Sequence, residues 1–137
     1  MATIHKSIVR PTLNGLFEGE INGHKLLMDT HSDDDAQAPT PKPLMLIALA
    51  GCTAIDVAAL LGKMRVAYSD FSVETLAELS DEHPKFYTKT EIIYYIKLLP
   101  EDQSKMEKAV DLSVEKYCGV HKMFEGFSAV EHKIVYL

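Results

Sequence analysis

The chain holds two cysteines, Cys52 and Cys118. Cys52 stands in Ala-Gly-Cys-Thr-Ala-Ile-Asp inside a long apolar run, and Cys118 in Glu-Lys-Tyr-Cys-Gly-Val at the end of an amphipathic one. A lone helical cysteine is ordinarily inert core packing, since free Cys is among the most buried residue types. The alternative is a working thiol, nucleophilic as its thiolate, and the two lack the paired spacing of a zinc ribbon. Two cysteines on two different helices are placed to form one redox pair if folding brings them together. Cys118, at the predicted C-terminus of its helix, meets the negative end of the dipole, which raises a thiol pKa and suits a resolving thiol better than an attacking one. Asp56 lies four residues after Cys52 and shares its face. Its ordinary place is as a buried or interfacial carboxylate paired with a base; left ionised beside Cys52, it would raise the thiol pKa. Gly51 costs about 1 kcal/mol in a helix interior, so it points to a close approach by another element.

The other chemistry-bearing residues are less organised. Asp33, Asp34 and Asp35, with Asp29 and His31 nearby, lack the glycine and terminal glutamate of an EF-hand and read as a solvated loop. The six histidines form no His-x-x-x-His pair and no HExxH motif. No glycine-rich phosphate loop follows a strand, and no serine sits in a nucleophile elbow. No metal or cofactor is therefore expected.

The net charge of -6 carries no basic stripe, which argues against nucleic acid as a partner. Two cysteines are too few for a disulfide scaffold, and Met1 to Gly15 has no apolar stretch of signal-peptide length. The expected compartment is the reducing cytoplasm. Leu44 to Leu61 is apolar over about 18 residues, the lower edge of a membrane span. Asp56 within it makes a buried helix the better reading and no membrane the expectation.

The elements that must position the cysteines follow from pattern. Residues 4–9 read as a first strand. Leu16 to Ile21 and His24 to Thr30 flank Asn22-Gly23, the pairing for a type I′ hairpin. Residues 30–43 form a loop, acidic and then proline-rich. Thr40 and Pro41 read as N-cap and first position of a helix running to about Met64. Residues 65–80 and 86–98 read as strands about a Glu82-His83-Pro84 turn, and 129–136 as a last strand. Residues 101–118 form an amphipathic helix, with Gly119 as its C′ residue. The whole, residues 1–137, reads as one domain.

The first helix is apolar around most of its circumference, so it should be buried on nearly all sides. At ~1.5 Å per residue it is roughly 35 Å long, against a radius of gyration of about 14 Å for a chain of this size. A second subunit wrapped around it is the simplest cover, which makes a homodimer the expectation.

Residues 39–57 resemble the first cysteine helix of the OsmC/Ohr family. The match is closest to the branch reading GCTxxDVVxxLxKMR, here GCTAIDVAALLGKMR over residues 51–65. Glu82 to Phe86 resembles the family's EHPxxF turn, and Leu112 to Cys118 its LSxEKYC signature. The three occur in order across about residues 13–136. The resemblance implies an α+β fold in which two central helices are enclosed by antiparallel β-sheets in an intertwined homodimer. It also implies thiol peroxidase chemistry on organic or lipid-type hydroperoxides in an oxidative stress response. Cys52 matches the peroxidatic cysteine and Cys118 the resolving one, with a small dithiol such as a lipoyl group as reductant. The family's best-characterised members hold the thiolate with an Arg and a Glu. Here Lys42 or Pro43 stands at the Glu position. Arg65, thirteen residues past Cys52, lies roughly 20 Å along the same helix, and Lys42 about 15 Å the other way. Arg10 is the other arginine, on a different element. That difference leaves a second reading open: a non-peroxidase dimer that binds a small apolar or thiol ligand, or senses redox state.

Overall fold

The structure is a computed structural model describing residues 1–137. The chain forms two compact units, Met1–Met45 and Leu46–Leu137.

The first unit is a three-stranded antiparallel sheet of β1 (Ser7–Pro11), β2 (Phe17–Ile21) and β3 (His24–Met28), in that order. Asn22 and Gly23 take φ of 52° and 79°, as the hairpin motif requires. That hairpin sets the register of its neighbour. β2 ends at Ile21, whose partner is Ser7, so residues 4–6 have nothing to pair with and β1 starts later than its sequence pattern implies. Asp29 organises the loop that follows. Its carboxylate accepts backbone N–H bonds from Thr30 at 2.7 Å and Gln37 at 3.0 Å. The Gln37 amide, then that of Thr30, holds this carboxyl below its usual range.

The second unit holds most of α1 (Pro41–Lys63), then β4 (Tyr68–Leu79), β5 (Tyr87–Leu98), α2 (Gln103–Leu112), α3 (Gly119–Glu125) and β6 (Ala129–Tyr136). A 3-10 turn at Pro100–Asp102 leads into α2, and a π turn at Ser113–Tyr117 leads out. The sheet order is β4-β5-β6. The α+β class is the expected one, with one difference in the sheets. β4 and β5 are antiparallel, but β6 runs parallel to β5, so this sheet is mixed. Parallel neighbours need a long crossover, and residues 99–128, with their helices, supply it. As the central strand, β5 buries consecutive residues Ile92, Ile93 and Tyr94, one face toward each side.

A further expectation needs correction. The second helix does not run unbroken from 101 to 118. It loosens at Ser113, breaks at Cys118 (φ -78°, ψ 99°) and restarts as α3, an element absent from the sequence reading. Gly119 opens α3 and does not close α2. Within one chain, α1 is not covered on nearly all sides, as expected of so long a helix in a chain of this size. It buries a single stripe, Leu49, Thr53, Val57 and Leu61, at the i, i+4 spacing of one helix face. Leu49, Val57 and Leu61 share an apolar cluster with Ile92, Tyr94, Ile96, Met106, Val110 and Phe124. Leu46 and Leu60 pack against this cluster as well, while Ile47 is 66% exposed and Ile55 72%. One sheet and one short helix reach only one side of so long a rod.

Candidate redox site

α1 carries Cys52 half-buried beside the buried stripe, and the end of the π turn carries Cys118 fully inside. Both cysteines are free thiols. The two sulfurs and a carboxylate oxygen of Asp56 all lie within 4.8 Å of one another. The sequence-predicted pair is therefore brought together, and Asp56 with it. The sulfurs differ in access: Cys118 is 4% exposed, whereas Cys52 keeps a partly open face.

Cys118 is not at a helix C-terminus, as the sequence reading placed it. It is the N-cap of α3, where its sulfur accepts the His121 backbone N–H at 3.3 Å. That bond favours the thiolate, yet the outcome is opposite. Burial, reinforced by the hydrogen bond to Cys52, pushes the Cys118 thiol up to about 12. The expected direction stands, but its largest cause is desolvation. At neutral pH Cys118 keeps its proton.

Asp56 has a hydroxyl for a partner where a base was expected. Ser113 Oγ donates to Asp56 Oδ2 at 3.0 Å. Ser113 Oγ is 2.8 Å from Thr53 Oγ1, which is 2.6 Å from Tyr94 Oη. Thr53, Tyr94 and Ser113 are fully buried. The directions of these bonds follow from elimination. A carboxylate only accepts, so Ser113 spends its proton on Asp56 and must accept from Thr53. Thr53 then must accept from Tyr94. Burial holds the Tyr94 phenol up at about 12, so it remains a donor. Four residues on three elements thus form a one-way row of hydroxyls ending at the carboxylate beside the sulfurs. Sequence reasoning missed Thr53, Tyr94 and Ser113. The available signal was local: Thr53 follows Cys52 and precedes Asp56 by three positions, on the same helix face.

No cation appears among the groups that shift Cys118; Cys52 and Asp56 both raise it. Arg10 faces Glu20 at 4.0 Å within the first unit, and Arg65 sits past the end of α1 with φ of 57°. Behind Cys118 opens a cavity of about 520 Å³ whose lining includes Tyr117, His121, Glu125 and His132. His121 Nδ1 lies 2.9 Å from Glu125 Oε1. Burial lowers the imidazole pKa there, against the Glu125 carboxylate that raises it.

A paired-thiol centre at the junction of a long helix and a broken one, backed by a mixed sheet, defines a class of protein. The family profile described as OsmC-like protein matches residues 32–133, more than half of the chain, and the chain belongs to that family. It is 37% identical to Protein YhfA of Escherichia coli (strain K12) over 117 residues, spanning 85% of this chain and 86% of that one. Among solved structures, an OsmC-like protein from Mycoplasma pneumoniae superposes with a TM-score of 0.84 at 10% identity, covering 100% of this chain and 99% of that one. An organic hydroperoxide resistance protein from Elizabethkingia anophelis superposes with a TM-score of 0.71 at 11% identity, with coverage of 100% and 99%. These two likenesses establish the fold.

Proposed function

We propose that this protein is a thiol-dependent reductase of organic hydroperoxides, with Cys52 as the attacking sulfur and Cys118 as the resolving one. The observation that carries the reading is the approach of the two sulfurs within 4.8 Å, one with a partly open face and the other buried. In the first step Cys52 sulfur attacks the O–O bond of a hydroperoxide ROOH. The product alcohol ROH leaves with one proton, and Cys52 becomes a sulfenic acid. Cys118 then condenses with it, releasing water and closing a Cys52–Cys118 disulfide. Two electrons and two protons from a small dithiol of the lipoyl type restore both thiols by exchange. A structural relative is described as an organic hydroperoxide resistance protein, which supports the substrate class.

The working form is a homodimer, and its motive is the uncovered apolar flank of α1, with Ile47 and Ile55 exposed. A second copy would remove that flank from water, at roughly 25 cal/mol per Å² of apolar area. The reducing cytoplasm is the compartment in which two such thiols stay free.

The test is steady-state loss of cumene hydroperoxide with dihydrolipoamide, comparing wild type with Cys52→Ser. Loss of turnover in the variant is expected; equal rates in the two would defeat the reading. One observation favours a second reading, a non-peroxidase dimer that senses redox state or binds a small apolar or thiol ligand. The side chains that shift Cys118, those of Cys52 and Asp56, both raise it, with no cation to favour a thiolate. A Cys52–Cys118 disulfide that fails to form with peroxide, together with saturable binding of an apolar ligand, would support that alternative.

A further inference from the structure

The cluster at Cys52 has a donor set of its own, separate from peroxide chemistry. Two sulfurs and a carboxylate oxygen lie mutually within 4.8 Å. Zinc takes thiolate sulfur at ~2.3 Å and carboxylate oxygen at ~2.0–2.2 Å in a tetrahedron. That geometry places two sulfurs roughly 3.8 Å apart and each about 3.5 Å from the oxygen. The three donors thus lie within about 1 Å of the separations a cation would impose. The carboxylate is also held from behind. Ser113 Oγ donates to Asp56 Oδ2, and Thr53 and Tyr94 fix Ser113 in turn. Such outer hydrogen bonds orient ligands in metal sites generally. Cys52 and Asp56 are half-buried, so the cluster is not sealed from solvent.

We propose that the fully reduced protein binds one thiophilic divalent cation, of which zinc is the type case, on Cys52 Sγ, Cys118 Sγ and Asp56. Binding displaces one proton from each thiol, so two protons leave per metal bound. No electron moves, and both sulfurs remain at the thiol oxidation level. The bound cation occupies the sulfur that attacks peroxide and masks the sulfur that resolves it. Metal and disulfide are therefore mutually exclusive states of one site. The inference shares the cysteine pair with the function proposed above but does not depend on peroxide turnover.

The experiment is an anaerobic titration of the reduced full-length chain with Cd²⁺, read by the ultraviolet thiolate-to-cadmium charge-transfer band. Zn²⁺ competition and a chromophoric chelator then give stoichiometry and affinity. The expected result is one equivalent per chain, with the band lost in Cys52→Ser and in Cys118→Ser. Asp56→Asn should weaken binding at least about tenfold, the size seen even for groups one shell beyond the ligands. Wild-type protein oxidised to the disulfide should give no band, which tests the site without any substitution. A His31→Ala variant removes the rival cluster of His31, Asp33 and Asp35 and should leave the band intact. A full band in either cysteine variant, a band indifferent to Asp56→Asn, or no band in reduced wild type each overturns the proposal. Because no peroxide is present, failure of the peroxidase reading leaves this result standing or falling by itself.

Discussion

Thr53→Val removes one hydroxyl from the middle of the buried row and keeps the side chain's shape. The cost follows from what is left behind. Tyr94 Oη loses its acceptor at 2.6 Å in a site with no exposure, and an unsatisfied buried donor costs about 1–3 kcal/mol. Ser113 keeps its bond to Asp56 but loses the incoming donor at 2.8 Å, about 1 kcal/mol more. The total is ~2–4 kcal/mol, or a fall in Tm of roughly 10 °C for a chain of this length. Tyr94→Phe should cost only about 1 kcal/mol, because Thr53 still donates to Ser113. In the double variant the orphaned phenol no longer exists. Its cost should therefore fall below the sum of the singles by ~1–3 kcal/mol, the coupling expected of residues sharing one network. The assay is urea unfolding of the four proteins at one fixed protomer concentration, since any self-association makes stability depend on it. If Thr53→Val lies within about 0.5 kcal/mol of wild type, or the two substitutions add, the directional row is wrong.

Other consequences can be checked separately. With its thiol pushed up to about 12, Cys118 should resist iodoacetamide at pH 8 while Cys52 is labelled, and should react only once the chain is unfolded; peptide mass mapping reads the order. The same shift fixes a pH trend. A folded-state pKa above the ordinary thiol value of ~8.5 stabilises the fold below that value, and the gain is lost as pH rises toward 12. The stability gap between wild type and Cys118→Ala should therefore narrow from pH 8 to pH 11, and a widening gap would contradict the assignment. Cys118→Ser treated with one equivalent of cumene hydroperoxide should hold a sulfenic acid on Cys52 that dimedone traps, whereas wild type yields the disulfide. Ile55→Asp, on the uncovered flank of α1, should leave far-ultraviolet circular dichroism unchanged and shift sedimentation to the monomer; an unaltered oligomer would remove α1 from the interface.

The parts of the fold written in local chemistry were legible in the sequence. Asn22-Gly23 dictates its own turn by demanding positive φ twice, and the proline-led apolar run ends within a residue of where α1 ends. The break at Cys118 was not legible, because Gly119 satisfies the pattern for stopping a helix as well as that for starting one. Only the amide of His121 reaching back to the sulfur decides between them. The hydroxyl row was hidden for another reason. Thr53 lies 41 residues from Tyr94 and 60 from Ser113, so its hydroxyl partners fall outside any short window around it. Motif resemblance placed the cysteines as a pair. Desolvation by the surrounding core, which sets Cys118 apart from Cys52, exists only after folding. The parallel pairing of β6 did leave a trace: a helix between two strands is the ordinary connection for parallel neighbours.

That pairing also bears on how the chain acquires its shape. β4 and β5 meet through a short turn and can zip early, but β6 reaches β5 only after residues 99–128 have coiled and docked. Until then the most buried strand of the molecule presents a bare row of amides and carbonyls along one side, the kind of margin that recruits foreign strands. Contacts between residues so far apart in sequence form slowly, since a large loop must close first. The final folding step should be the seating of β6, and the vulnerable interval is the one before it.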